Sequence, residues 1–337
     1  MIARTTREAI LRGVGGAAET HDAFRFRDKH QDGLCAIDVF SLIDDLQIPL
    51  EFRALDALLG ACVRVNSAEV GILVTTQRDL HMQRFTAAHE LGHFILEHEG
   101  SLDREVRMPG HTDGRPPVEV EADAFAAEFL MPKWLLRAAA ERRGWWAEDA
   151  LKNPEIVYQL SLRVAASYEA TCWGLVSHDY IEPRSAEALI GNGKRLKEIK
   201  RTALRGIALD DSWADVWLLG QHDDGAQLDA GPNDVFILDL EERAAAGFRW
   251  DASDAIKQGF VLLDDTSHFN KNVVGGAAQR RVVLRSPPPG KYDLSFELAR
   301  SFARAGDSKT LRINVSTIGT RRSDDGASSA GTAGTIH

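Results

Sequence analysis

Residues 84–98 constrain the fold and the chemistry of this chain more than any other stretch. They carry the pattern His-Glu-x-x-His inside a segment whose composition predicts a helix. Because residues four apart lie on one helical face, His89 and His93 can direct two imidazoles at one point. Imidazole nitrogen is a standard zinc ligand. Glu90 lies beside that face, where it can reach a water at the metal and act as general base.

The apolar neighbours of these histidines, among them Phe85, Leu91 and Phe94, predict that the helix is buried. A buried histidine pair needs polar partners, and a metal ion provides them. The alternative is an exposed helix that carries two histidines by chance, because the pattern is short. We favour the zinc site because a second motif can supply the missing ligand.

A catalytic zinc needs a third protein ligand and an open position for water. Residues 119–132 read Glu-Val-Glu-Ala-Asp-Ala-Phe-Ala-Ala-Glu-Phe-Leu-Met-Pro, and helical spacing puts Glu119 and Asp123 on one face. We expect Glu119 to bind zinc and Asp123 to orient a histidine ligand through its other nitrogen. Glu121 is the competing choice for the third ligand. An amphipathic helix with solvated acids is the alternative for the whole segment.

The two motifs together resemble the ImmA/IrrE zinc metallopeptidases, over about residues 30–185. The resemblance implies a zincin-like α+β metallopeptidase domain, Zn²⁺ as cofactor and endopeptidase activity. It also implies a protein substrate, namely a helix-turn-helix transcriptional repressor, often encoded nearby. Its cleavage would release stress-response or mobile-element genes.

Charge argues against indiscriminate nucleic-acid binding by the whole molecule, since 40 basic and 50 acidic residues leave a net charge of -10. A local basic patch is still compatible with this balance. One candidate patch lies on a predicted helix and consists of Lys194, Arg195, Lys197, Lys200 and Arg201. We interpret it as a solvated linker helix, and nucleic-acid contact is the alternative.

The cysteines and the apolar runs predict a cytoplasmic protein. The chain has three cysteines, far apart and without a CxxC pair, so a disulfide framework is not expected. The first residues lack the apolar block of a signal peptide, and no apolar run has the length of a membrane span.

Before the metal motif, the pattern predicts one short helix around residues 6–14 and strands at 63–65 and 71–75. Such strands can form one edge of a small sheet over the site, to which an extended substrate adds. Residues 100–117 are rich in Gly and Pro and predict a loop that carries His111. From 132 to 205 the chain reads as helical, with breaks at Gly144, Asn153 and Pro183. Residues 154–175 are interpreted as a packed helical pair rather than a DNA-reading motif.

After Ser212 short alternating strands predict an all-β sandwich that binds rather than catalyses, because no ligand or nucleophile cluster appears there. The predicted strands are 216–219, 235–240, 260–263, 281–284, 292–296 and 311–315.

The order of motifs in this half resembles the chagasin-like cysteine-protease inhibitors, which carry three loops at one end of an immunoglobulin-like sandwich. Here the first loop, residues 243–248, lacks Asn-Pro-Thr-Thr, and the third, residues 300–302, reads Arg-Ser-Phe instead of Arg-Pro-Trp. The resemblance therefore implies the fold more than it implies inhibition.

These patterns predict four parts: a zinc metallopeptidase domain at 1–140, a helical extension at 141–210, a chagasin-like sandwich at 211–320 and a disordered tail at 321–337. Two functional alternatives stay open beside the peptidase. One is a non-catalytic regulatory protein that zinc stabilises and that senses nucleic acid. The other is a protease-inhibitor module.

Overall fold

The computed structural model describes residues 6–56, 58–64, 70–99, 114–147, 149–209, 211–242, 247–269, 278–300 and 309–317. Within them the chain is a mixed α+β protein with three sheets. The first part consists of α1 (Thr6–Ala23), α2 (Phe26–His30), α3 (Val39–Asp45), β1 (Leu50–Arg53), β2 (Gly60–Arg64), β3 (Val70–Thr75), α4 (Leu80–Ile95), α5 (Pro117–Leu130) and α6 (Lys133–Arg142).

Helix α1 is longer than the sequence predicted, because its glycines pack against other elements. A Cβ on Gly13 would lie 2.2 Å from the carbonyl oxygen of Glu121, and one on Gly16 would lie 2.7 Å from Leu96 Cδ2. Glycine lowers helix propensity, but here it lets α1 approach α5 closely. Tertiary packing therefore extends a helix that local propensity would end early.

The three strands of the first part form a sheet in the order β1-β3-β2. β1 is parallel to β3 and β2 is antiparallel to it, so β1 and β2 are the outer strands of the sheet as described. The predicted strands at 63–65 and 71–75 correspond to β2 and β3, although residue 65 lies outside the described residues. β1 was not predicted, because its four residues Leu-Glu-Phe-Arg are too few for a clear alternation.

The predicted helical stretch with its breaks is confirmed as α7 (Pro154–Arg163), α8 (Tyr168–Ser177), α9 (Pro183–Ile190) and α10 (Arg195–Leu204), with a short 3₁₀ helix at Ala150–Lys152. The Asn153 side chain caps α7 by accepting from Glu155 N, and Ser167 caps α8 by accepting from Ala170 N. Helices α7 and α8 form the predicted pair. None of the described helices combines the length and the apolar character needed to cross a membrane.

The last part contains two four-stranded sheets, in the orders β4-β6-β9-β8 and β5-β11-β10-β7. Its elements are a 3₁₀ helix at Gln221–Asp223, α11 (Ser253–Lys257) and the strands β4 (Val216–Leu219), β5 (Ala226–Ala230), β6 (Val235–Glu242), β7 (Phe248–Asp251), β8 (Val261–Phe269), β9 (Ala278–Arg285), β10 (Gly290–Arg300) and β11 (Lys309–Thr317). All six predicted strands are present. β5 and β7 were not predicted, because both are short and interrupted by charged residues.

Ion pairs with buried or half-buried partners join the β sheets to the helix that carries the histidines. Asp215 accepts from Tyr158 Oη at 2.8 Å and pairs with Lys200 Nζ at 2.9 Å and with His81 Nε2 at 3.1 Å. Burial acts to lower the pKa of His81, but the hydrogen bond and charge of Asp215 outweigh it, so the pKa is raised. One turn further along α4, the buried Arg84 guanidinium forms an ion pair with Asp229 of β5.

Arg84 is only 1% exposed, and Asp229 is the acidic residue that pairs with it. Asp229→Asn would leave the guanidinium buried without its counter-charge. We expect the free energy of unfolding in urea to fall by about 2–4 kcal/mol, because one charge of a buried pair remains uncompensated.

The matched control is Glu141→Gln, which removes the exposed pair between Arg137 and Glu141 at 2.8 Å. An exposed pair one helical turn apart contributes less than about 0.5 kcal/mol. Equal effects of the two variants would contradict the assignment of a buried, stabilising pair.

Candidate metal centre

Helix α4 is buried along most of its length, as the sequence predicted. Asp79 caps its first turn by accepting from Met82 N at 2.9 Å. Every residue from 83 to 93 is buried, including both histidines and Glu90. Buried polar side chains need partners, and the neighbouring elements provide them.

His89, His93 and Glu119 converge on one point. The two histidine Nε2 atoms lie 3.1 Å apart, and the Glu119 oxygens lie 3.5 Å from His89 Nε2 and 3.6 Å from His93 Nε2. The three ligand atoms all lie within 4.8 Å of one another. Two imidazoles and one carboxylate are the donor set of a catalytic zinc that keeps a position open for water. The donors present therefore fit the predicted metal.

Glu90 is fully buried and lies against the outer strand β2. A Cβ on Gly60 would come within 2.6 Å of Glu90 Oε1 and 2.5 Å of Thr86 Cγ2. Glycine at this position therefore lets the strand pass directly over the carboxylate. The carboxylate of the predicted general base therefore lies where α4 packs against β2, an outer strand of the sheet.

Asp123, which was predicted to orient a histidine ligand, lies behind His89. Its Oδ1 lies 2.9 Å from His89 Nδ1, which leaves Nε2 of the ring for the ligand point. Arg115 holds this arrangement from outside the helix: it forms an ion pair with Asp123 and lies 3.1 Å from Glu119 Oε2. The sequence reasoning missed Arg115. Arg115 precedes α5, so helical spacing does not link it to Glu119 and offered no signal.

His98 and Glu121 lie behind the second histidine, His93. His98 Nδ1 lies 2.9 Å from His93 Nδ1, and His98 Nε2 lies 2.9 Å from Glu121 Oε2. Burial lowers the pKa of His98, which favours its neutral form. Two rings, those of His93 and His98, therefore separate Glu121 from the ligand point, and it is Glu119 that the structure brings to the two histidines. The roles of Glu90, His89, His93, Glu119 and Asp123 stay predictions that agree with this geometry.

Other predicted candidates are not part of this centre. His111 lies outside the described residues, as do most of the loop residues that carried the inhibitor resemblance. On α10, Lys194, Arg195, Lys197 and Arg201 are exposed. Lys200 does not share their surface, because it is buried and donates to Ala214 O at 2.9 Å.

Glu119→Gln should weaken zinc binding by about a hundredfold or more, because it replaces a charged ligand by a neutral amide. Competition with a chelator measures the dissociation constant. Glu128→Gln is the matched control on the same helix, since Glu128 lies near His178, at 3.7 Å, and should leave the constant unchanged. An unchanged constant for Glu119→Gln would exclude this residue as the third ligand.

Comparison with known proteins gives one family match for the segment that contains both motifs. Residues 45–175 match the peptidase M78 family model, described as the IrrE N-terminal-like domain. Both motif segments lie inside the match, which is narrower than the 30–185 predicted from sequence. The comparison with curated proteins finds no match.

Three solved structures are similar to a C-terminal part of the chain. The cysteine protease inhibitor EhICP2 of Entamoeba histolytica is 19% identical, covers 31% of this chain and 97% of its own, and has a TM-score of 0.28. Amebosin is 10% identical, covers 31% of this chain and 98% of its own, and has a TM-score of 0.27. PbICP-C, solved in complex with falcipain-2, is 19% identical, covers 31% of this chain and 91% of its own, and has a TM-score of 0.20.

The likenesses to these three proteins agree with the resemblance seen after Ser212, but at such TM-scores they assign neither fold nor activity. The family match is more specific, because it spans both helices of the metal centre. Residues 45–175 thus match the IrrE N-terminal-like model of the M78 peptidases, in agreement with the resemblance carried by the two motifs.

Proposed function

We propose that the chain is a zinc-dependent endopeptidase. The observation that carries this proposal is the convergence of His89, His93 and Glu119 on one point, with Glu90 on the same helix. The match of residues 45–175 to a peptidase family supports the same reaction class. His89, His93 and Glu119 would hold zinc, which supplies a Lewis acid that polarises the peptide carbonyl and makes water more acidic.

Glu90 moves the proton in this mechanism. Its carboxylate accepts the proton of the attacking water and passes it to the nitrogen of the leaving amine. Asp123 keeps the His89 ring turned towards the ligand point, and Arg115 fixes Asp123 in turn. The burial of Glu90 under Gly60 keeps its carboxylate near the reacting groups, so little reorganisation is needed.

We infer that the substrate is a protein chain bound in extended form. β2 is an outer strand of its sheet, its Val63 side chain is 40% exposed, and its Gly60 lies against Glu90. An extended segment that pairs with this strand would pass the catalytic carboxylate. Resemblance to the ImmA/IrrE peptidases suggests a helix-turn-helix repressor encoded nearby, in a stress or mobile-element setting, and a cytoplasmic location.

We also propose the four-part organisation, with an immunoglobulin-like sandwich in the C-terminal part. The sandwich would recruit the substrate or restrain the peptidase, since it contacts the metal helix through Asp215 and Asp229. The cleavage rate of Asp229→Asn tests restraint: a rate unchanged from wild type would count against it.

Glu90→Gln should retain zinc while the cleavage rate falls by roughly 10²–10⁴-fold, because the general base is lost and the ligands are intact. Gel analysis of the neighbouring repressor after incubation with the zinc-loaded protein measures cleavage, and metal analysis measures zinc. A Glu90→Gln chain that cuts at the wild-type rate would remove Glu90 from the mechanism.

The second candidate function is nucleic-acid contact through α10, because Lys194 at its N-cap and Arg195, Lys197 and Arg201 within it are exposed. Titration of duplex DNA at several salt concentrations should then give a negative slope of log affinity against log salt. Replacing Lys197 and Arg201 by Gln should remove about two phosphate contacts. The magnitude of the slope should then fall by about 0.9 for each lost contact. Binding that does not depend on salt, or on these residues, would exclude the patch.

A further inference from the structure

A chain of polar contacts runs from the second histidine of the metal centre to the N-terminal helix. His93 contacts His98, and His98 contacts Glu121, each at 2.9 Å. The Glu121 carboxylate forms an ion pair with Arg12 of α1. His93, His98 and Glu121 are buried, whereas the Arg12 side chain is 39% exposed. Arg12 is therefore the residue at which this series of polar contacts reaches solvent.

One arrangement of protons satisfies the two 2.9 Å contacts, both of which are shorter than the 3.4 Å between Arg12 Nη1 and His98 Nε2. His93 Nε2 faces the ligand point, 3.1 Å from His89 Nε2, so its lone pair is needed there. Its Nδ1 must then carry the proton and donate to His98 Nδ1. His98 carries its own proton on Nε2 and donates it to the Glu121 carboxylate, which as an anion only accepts. The charge on Glu121 thus selects the tautomer of both rings.

Glu121 needs a counter-charge, because a buried, ionised carboxylate without one is costly. Arg12 supplies this charge, and its second nitrogen, Nη2, donates to Leu96 O at 2.8 Å, just beyond the end of α4. The close packing of Gly13 and Gly16 brings α1 near enough for these contacts. Arg12 therefore ties together the C-terminal end of α4 and the first turns of α5.

We propose that Arg12 is a positioning residue of the metal centre: through Glu121 and His98 it holds the His93 ring in its ligating tautomer and orientation. Helix α1 lies outside residues 45–175, so the functional centre extends beyond the segment that matches the peptidase family. This inference rests on the proposed function, because it assumes that His93 binds zinc.

Zinc affinity of the full-length chain tests the proposal. Arg12→Gln should raise the zinc dissociation constant about tenfold, at the lower end of the 10–100-fold typical of outer-shell partners, because the Arg12 side chain is partly exposed. Arg12→Lys keeps the charge but not the forked contact, and we expect an intermediate value. Arg7→Gln is the matched control, since it makes the same charge change at another exposed position of α1. Equal constants for Arg12→Gln and Arg7→Gln would overturn the proposal.

A second measurement separates positioning from stability alone. ¹⁵N NMR of the histidine rings should show His98 protonated on Nε2 in the wild type and a mixture of tautomers in Arg12→Gln. A purely structural role would lower the unfolding temperature while leaving the tautomer and the zinc constant unchanged, and that result would contradict the proposal. If Arg12→Gln does not fold, Glu121→Gln interrupts the same series of contacts. It should likewise raise the zinc dissociation constant and mix the His98 tautomers.

Different results would overturn the proposed zinc-dependent function and the positioning role of Arg12. A folded wild-type chain that binds no zinc would overturn the proposed function. The tautomer of His98 in the metal-free chain would still decide whether Arg12 and Glu121 set the protonation of these rings.

Discussion

The structure depends on the burial of helix α4, which carries two histidines and a glutamate in its most enclosed part. Polar side chains in such a place are stable only with partners, and the partners here come from neighbouring elements. α5 contributes Glu119 and Asp123, and β2 covers Glu90 with a glycine. The centre thus forms where α4, α5 and β2 pack together, and the polar residues of α4 find their partners in these contacts.

The two histidines proposed as ligands are each supported by a separate series of polar contacts that ends in an arginine. His89 is followed by Asp123 and Arg115, and His93 is followed by His98, Glu121 and Arg12. Each series places a polar atom 2.9 Å from the Nδ1 of its histidine and ends in a positive charge, which offsets the acids gathered around the site. Such support holds the donors in place before a metal arrives, which reduces the reorganisation that binding requires.

The local part of this centre could be predicted from the sequence, because helical spacing alone relates His89 to His93 and Glu119 to Asp123. Contacts between distant segments could not be predicted, since no pattern links Arg12 with a glutamate 109 residues away. The same limit applies to the fold. A longer strand with clear alternation, β11, was predicted, whereas the four-residue β1 and β7 were not. α1 was predicted too short because the partner surface that makes its glycines favourable is invisible in local propensity.

The central claim is that His89, His93 and Glu119 coordinate one zinc ion. X-ray absorption at the zinc edge of the full-length, zinc-loaded chain tests it most directly, because it reports the number and type of the ligand atoms. The account predicts a four-coordinate ion with two imidazole nitrogens and two oxygens, at about 2.0–2.2 Å, with one oxygen from solvent. Sulfur in the coordination shell, a single imidazole, or zinc that washes off without a defined site would contradict it.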